Sequence, residues 1–249
     1  NRNKKINITT IFGDLEFERD FLYCRYCHKG RGIGDRIKEI NETHKYSNGM
    51  MDLITYVGQL VPFEEGNQLI KKFIGYLGID VCGTTIQKVS EEVGKKVHEK
   101  NMGEAEINYE KIIKVEDYKN TEGELYVLMD GSQVNTREKN NKGKTWREMK
   151  LGEVFTSKDI IKRKNGDSII TKKEYVTYFG SVNKFKKVLL TSAYNSGYEK
   201  YKKTVVLGDG AHWIWNMCDE YFPDSIKILD YYHAIENVND YAKVIISKE

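Results

Sequence analysis

Between residues 204 and 233 the chain reads TVVLGDGAHWIWNMCDEYFPDSIKILDYYH. Two apolar runs of strand length each finish in an aspartate, Asp209 and Asp230, and a segment of helical period separates them. A chain of short buried strands alternating with helices has few folds open to it. The strands must share a sheet, and helical crossovers make them parallel. Upstream, ELYVLMDG is a run of the same kind that ends at Asp130-Gly131. TWREMKLGEVF and SIITKKEYVTYFG alternate with the two-residue period of further strands, joined by TSKDIIKRKNGD. SVNKFKKVLLTSAYNSGYEKY has helical period with Ser181 at its head, and AIENVNDYAKVIIS closes the chain as a helix. The predicted order is β-β-β-α-β-α-β-α, an α/β layout with three antiparallel strands followed by a parallel βαβα half.

The first half has a different rhythm. Residues 8 to 23 alternate β-formers with charges and predict a hairpin around Gly13-Asp14. From 47 to 100 the period is helical. Ser47 is placed to cap one helix, Pro62 begins a second, and Thr84 or Thr85 caps a third with an apolar stripe of Ile86, Val89, Val93 and Val97. The lysine- and glutamate-rich stretch that follows has no such stripe. These changes divide the chain into a β segment at 1–46, a helical unit at 47–100, a linker at 101–123 and a sheet domain at 124–249.

Within the helical unit, a helix, a glycine-containing turn and a second helix follow the rhythm of a helix-turn-helix. That rhythm puts Thr84, Thr85, Gln87 and Lys88 where a DNA-reading helix begins. Glu91 and Glu92 on the same helix oppose a basic face, so a plain packing unit fits equally well.

The two aspartates Asp130 and Asp209 carry the chemistry. Each closes a buried strand and is followed by glycine, at the edge where ligands gather in open α/β sheets. A carboxylate finishing a buried strand is costly unless it is paired, protonated or bound to a cation. Two on neighbouring strand ends would repel each other, and a divalent ion relieves that repulsion. Oxygen-only ligation suits Mg2+ or Mn2+, and paired ions suit phosphoryl transfer. The alternative is that both are turn aspartates, since Asp-Gly is an ordinary turn dipeptide.

Composition excludes other classes. No apolar run among the 249 residues has the length of a membrane span, and NRNKKINITTIFGDL holds no signal core, so a cytoplasmic protein is expected. Four cysteines do not make a secreted disulfide framework. Cys24 and Cys27 form a C-x-x-C, two of the four ligands of a structural zinc, with His28 adjacent; Cys82 and Cys218 are expected to be core thiols. A net charge of +3 permits a polyanionic partner without requiring one.

Four blocks in order, LYVLMDGSQV, WREMKLGEVF, VVLGDGAHWIWN and FPDSIKILDYYHAIENV, resemble the catalytic domain of bacterial insertion-sequence transposases with an RNase H-like fold and a DDE active site. The Kra group is nearest, then the Lre group, with the eukaryotic mutator-like elements more distant. YCRYCHKG, VPFEEGNQLIKKFIG and TTIQKVSEEVG look like the segments preceding that domain, so the likeness covers nearly the whole chain.

The resemblance implies an RNase H-like mixed sheet and a DNA transposase acting by metal-dependent strand cleavage and strand transfer. Asp130 and Asp209 become the first two catalytic acids and ligands of Mg2+ or Mn2+, and Asp230 and His233 match a supporting D-x-x-H element. It also implies DNA as partner, at both element ends and target, and a homo-oligomer that joins two ends. The family's third acid is a glutamate well downstream of the D-x-x-H; Glu236 and Glu249 stand too close to it. Cys24 and Cys27 resemble half of a zinc ribbon. A chain clipped at both ends, inactive alone in strand cleavage, is the resulting expectation. A noncatalytic DNA-binding remnant and another RNase H-like nuclease are the rival readings.

Overall fold

The computed structural model describes residues 2–32, 40–41, 45–112, 119–137, 139 and 143–246. The chain divides into two compact units, Asn1–Glu99 and Lys100–Glu249.

In the first unit, β1 (Arg2–Thr10) and β2 (Gly13–Tyr23) pair antiparallel in an unbroken register from Arg2↔Phe21 to Thr10↔Gly13. The turn residues are Ile11 and Phe12, and Gly13 takes φ +118°, a conformation that L side chains rarely adopt. Three short strands, β3 (Gly30–Gly32), β4 (Ile40–Asn41) and β5 (Tyr46–Ser47), complete a sheet of order β3-β2-β1-β5-β4. Ser47 then caps α1 (Asn48–Leu60), its hydroxyl accepting from the Met50 N–H at 3.2 Å. Pro62 precedes α2 (Phe63–Ile74), where a missing N–H costs nothing, and Glu64 and Glu65 in the first turn with Lys71 and Lys72 in the last complement the helix dipole. Met50, Ile54, Val57, Ile70, Val81, Ile86 and Val89 form this unit's core. The boundary expected at residue 46 therefore falls inside one unit, because β5 pairs with β1 at Thr9↔Tyr46.

The third helix, α3 (Gly83–Ile112), starts one residue before the expected caps. Cys82 occupies the capping position, its carbonyl accepting from the N–H groups of Thr85 and Ile86. It also runs further than expected, through 101–112 of the stretch read as a linker. Met102, Ala105, Tyr109 and Ile112 recur at intervals of three and four residues and join the core of the second unit, which holds this segment helical. Residues 113–118 lie outside the described residues.

The second unit is a mixed α/β layer. Its strands are β6 (Thr121–Asn135), β7 (Trp146–Thr156), β10 (Glu174–Phe179), β11 (Tyr201–Gly208) and β12 (Ile226–Leu229), with β8 (Ile160–Lys162) and β9 (Ser168–Ile170) forming a separate small hairpin between β7 and β10. That hairpin divides SIITKKEYVTYFG, expected as one strand, into β9 and β10. The five-stranded order is β10-β7-β6-β11-β12; β6, β7 and β10 are antiparallel neighbours, while β6, β11 and β12 are parallel. The helices α4 (Val182–Asn195), α5 (His212–Tyr221) and α6 (Tyr231–Ile246) follow β10, β11 and β12.

Alternation assigns the faces. Leu125, Val127 and Met129 of β6 are buried with Val154, Val176, Phe185, Leu189, Val206 and Ile214. Tyr126, Leu128 and Asp130 point the other way. On the buried face Gly152 lets α4 approach: a Cβ there would stand 2.6 Å from Leu189 Cδ1 and 2.7 Å from Val176 Cγ2. Gly152→Ala is therefore expected to cost about 1–3 kcal/mol by overpacking, read as a lower urea midpoint at unchanged slope. A midpoint equal to that of the wild type would show that α4 is free to shift.

Candidate functional site

The parallel register builds the site. Met129 pairs with Gly208, and Gly208 pairs with Leu229. The next residue along the chain in each case is Asp130, Asp209 and Asp230, so three aspartates stand in a row across three adjacent strands, about 4.8 Å apart from strand to strand. Asp209 and Asp230 directly follow the last residues of β11 and β12, whereas Asp130 does not close its strand as expected: β6 runs on to Asn135 because it stays paired with β7 as far as Asn135↔Trp146. The Asp230 N–H donating to the Gly208 carbonyl at 2.8 Å keeps the third in line. All three continue the face that carries Tyr126, Leu128 and Leu207. With His233 and Glu153 they line a cavity of about 200 Å³ whose floor is Leu128, Leu151 and Leu207.

Each aspartate spends one oxygen on a backbone N–H just downstream of it. Asp130 Oδ1 accepts from the Gly131 N–H at 2.7 Å and Asp209 Oδ1 from the Ala211 N–H at 2.8 Å. Asp230 Oδ1 accepts from the N–H groups of Tyr232 at 2.8 Å and His233 at 3.4 Å, capping α6. Among the described residues none of the three Oδ2 atoms has a hydrogen-bond partner, and none of the three carboxylates has a Lys, Arg or His ion pair. Three aligned carboxylates without a protein cation repel one another and attract one from solution. Oxygen-only donors fit a hard divalent ion. The side chains are aligned, not convergent: no three His, Cys, Asp or Glu groups among the described residues are gathered so as to enclose an ion.

Glu153 escaped the sequence reading. It lies on β7 opposite Leu128, two residues from Asp130 along the paired strand, and is the acid among Met149, Leu151 and Phe155 in the alternation of that face. Its Oε1 lies 2.8 Å from Lys173 Nζ, and that neighbour raises the lysine's pKa. The only signal in the sequence was a glutamate in the period of GEVF that alternates with the core residues Gly152 and Val154, and recognising it required knowing the register with β6. His233 reaches the cavity, but its Nδ1 faces Glu236 at 3.6 Å, so D-x-x-H is joined through the His233 backbone and not through its ring. Of HWIW, both Trp213 and Trp215 pack against the core on the opposite face, Trp213 edge-on to Phe185 at 5.8 Å.

The remaining candidates belong to the first unit. Cys24 and Cys27 are exposed, and hydrogen bonds from the Cys27 and Tyr26 backbone, with the Cys27 thiol beside it, lower the Cys24 pKa. His28 turns its Nδ1 to Tyr23 Oη at 3.0 Å, so the described residues offer zinc two thiols. Thr84, Thr85, Gln87 and Lys88 do open α3. The Thr84 and Thr85 hydroxyls sit 3.2 and 3.1 Å from Cys82 Sγ, Gln87 donates to Glu91 at 2.7 Å, and Lys88 is exposed. Between α2 and α3 lie a 3-10 turn, Gly75–Leu77, and five further residues, longer than the 3–4-residue turn of a helix-turn-helix.

Cys218 is a core thiol as expected, pushed up to about 11 by burial, but Cys82 is exposed and lowered to about 7 by the hydroxyls of Thr84 and Thr85 and the Thr85 N–H. The apolar stripe of α3 begins only at Ile86, which leaves the capping thiol in solvent. Because the thiolate is the nucleophile, alkylation of Cys82 should be half-maximal near pH 7 and fall about tenfold per unit below it. Mass spectrometry of iodoacetamide-treated protein checks this, and a midpoint near the ordinary thiol value would remove the hydroxyl explanation.

Among the described residues no helix is long and apolar enough to cross a membrane. No curated protein matches the chain. A family match runs over residues 1–246, through both units and the whole row of aspartates, and the family is described as Uncharacterised protein family (UPF0236). With essentially its full length inside that match, the chain belongs to the UPF0236 family.

Proposed function

We propose that this protein is a DNA transposase, or the part of one carrying an RNase H-like catalytic domain, and that it performs metal-dependent phosphoryl transfer on DNA. One observation carries the reading: Asp130, Asp209 and Asp230 stand side by side on one face with no protein cation among the described residues to neutralise them. The strand order, three antiparallel strands and then two parallel additions joined by helices, supports an RNase H-like sheet. The four sequence blocks support the transposase assignment.

Asp130 and Asp209 would hold Mg2+ or Mn2+, which supplies charge neutralisation at a phosphate and activation of an attacking oxygen. A row of carboxylates repels a DNA backbone, so DNA can approach only when the row is neutralised, and cation and substrate binding are coupled. The Oδ1 bonds to Gly131 and Ala211 fix both side chains while leaving each Oδ2 to the ligand. His233 on the cavity wall is placed to meet a substrate phosphate, with Glu236 orienting its ring. Two DNA ends joined in one reaction call for a second copy of the chain.

The test is nicking of a supercoiled plasmid carrying the DNA that flanks the coding region, with Mn2+ or Mg2+, by residues 1–249 and by Asp130→Asn, Asp209→Asn and Asp230→Asn. Metal-dependent nicking lost in all three variants makes Asp230 the third acid. Loss in Asp130→Asn and Asp209→Asn alone puts the third acid elsewhere. Metal binding without nicking by the wild type means that a further acid must be supplied. DNA binding with no metal dependence at all favours the noncatalytic reading and ends this one.

A further inference from the structure

A second feature lies on the face of the aspartates, at the β10 edge of the sheet. Along β10 the side chains alternate. Val176 and Tyr178 turn to the core, while Tyr175, Thr177 and Phe179 turn to the aspartate face, where all three are exposed. The register fixes their places. Tyr175 lies opposite Glu153, Thr177 opposite Leu151 and Phe179 opposite Met149, and Leu151 in turn lies opposite Asp130. We propose that Tyr175 and Phe179 form a platform for an unpaired DNA strand laid along β10, one base stacked on each ring and the backbone between them level with the aspartate row. The kind of ligand rests on the phosphoryl-transfer reading; its place rests on the register.

Tyr175 is 57% exposed and Phe179 38%, and each ring has a cation beside it. Lys173 Nζ lies 5.9 Å from the Tyr175 ring centre, and the Arg147 guanidinium 5.4 Å from that of Phe179. Aromatic rings interleaved with cations suit a single strand, because every base offers a stacking face and every linkage a charge. Lys173 already faces Glu153 at 2.8 Å, whereas Arg147 has no carboxylate partner among the described residues, so Arg147 supplies the charge that meets a phosphate. Spacing selects the ligand further. Tyr175 and Phe179 stand about 13 Å apart along the strand. A duplex keeps its bases paired and stacked about 3.4 Å apart, and opens none of them to either ring. An extended, unpaired strand reaches both. Thr177, midway between the rings, is two strands from Asp130, about 10 Å across the sheet. The linkage between the two seated bases therefore runs beside the place where Asp130 and Asp209 would hold a cation. Asp130, Asp209, Asp230 and Glu153 share this face and repel the same strand, so the platform fills when the row is neutralised.

The experiment reads the anisotropy of a fluorescein-labelled oligo-dT in two settings. One uses residues 1–249 with and without Ca2+; the other uses Asp130→Asn/Asp209→Asn without divalent metal, where two repelling charges are gone. In both, adding Tyr175→Ala should weaken binding about 5- to 150-fold, the value of one base stacked on an aromatic ring, while Tyr175→Phe retains it. Phe179→Ala should act on the same scale. Arg147→Gln should lower the slope of log affinity against log salt by about 0.7, the share of one phosphate contact on a single strand, whereas Tyr175→Ala leaves that slope unchanged. A duplex of the same length should compete poorly. All variants are checked for wild-type melting temperature. Tyr175-dependent binding that no divalent metal alters in the wild type keeps the platform and ends the phosphoryl-transfer reading. Equal affinity of Tyr175→Ala and its parent, equal loss in Tyr175→Phe, duplex competition as strong as that of the single strand, or no binding in either setting overturns the proposal.

Discussion

Asp130→Asn and Asp209→Asn are each expected to abolish stabilisation of the fold by Mn2+ and to lower any metal-dependent nicking by at least about 10³-fold, the scale on which removing one preorganised electrostatic group acts. The amide keeps an oxygen that can accept from the Gly131 or Ala211 N–H, so the local backbone bond is preserved. What disappears is the negative charge on the free side of each group. In wild-type protein, Mn2+ at one hundred times its Kd should raise unfolding free energy by about 2.7 kcal/mol; in either variant it should add almost nothing.

Without metal the sign reverses. Removing one of three aligned charges relieves repulsion, worth up to about 1 kcal/mol between neighbours in water, so the variants should melt no earlier than wild type and somewhat later. Melting curves with and without Mn2+ read both effects. A variant that is destabilised without metal and still stabilised with it would show that the row is structural and that the ion binds elsewhere.

The second large effect is in the cores. Phe185 is fully buried, packs edge-on against Trp213 and closes over Gly152, so Phe185→Ala should cost about 3–5 kcal/mol. Ile54, equally buried, belongs to the other cluster, and Ile54→Ala should cost about 2–5 kcal/mol. Because the two clusters share no residue, each substitution should lower the transition of its own unit. Hydrogen exchange resolves the two. Equal loss of protection in Met50–Val89 and in Leu125–Ile214 from a single substitution would mean that the units unfold as one.

What the sequence could determine was everything that repeats locally. Strand and helix periods in 124–246 follow from which side chains must leave water, and the order of the main strands and helices there is as expected. Their limits are less so: β6 runs on to Asn135, SIITKKEYVTYFG divides into β9 and β10, and α6 begins at Tyr231 within the stretch read as the last strand. Ser47 and Pro62 act within a turn of their own position, so their roles were legible too. The pairs Asp130-Gly131 and Asp209-Gly210 stood out because a charge at the end of an apolar run is locally anomalous.

The tertiary structure decided what depends on register and on partners distant in the chain. Residues 101–112 looked like a linker because their apolar stripe is sparse; they are helical because Ala105 and Ile112 find a core supplied by α4 and α5. Cys82 looked like a core thiol, but the helix it caps buries its stripe only from Ile86 onward. Glu153 joined the aspartates because β7 pairs with β6 at Leu128↔Glu153. A shift of one residue in that pairing would turn the glutamate to the opposite face. Asp230 enters the row through the pairing of Leu229 with Gly208, a contact across twenty-one positions of sequence. A sequence specifies the period of each strand, while the pairing of strands is settled only when all their buried faces must fit one core.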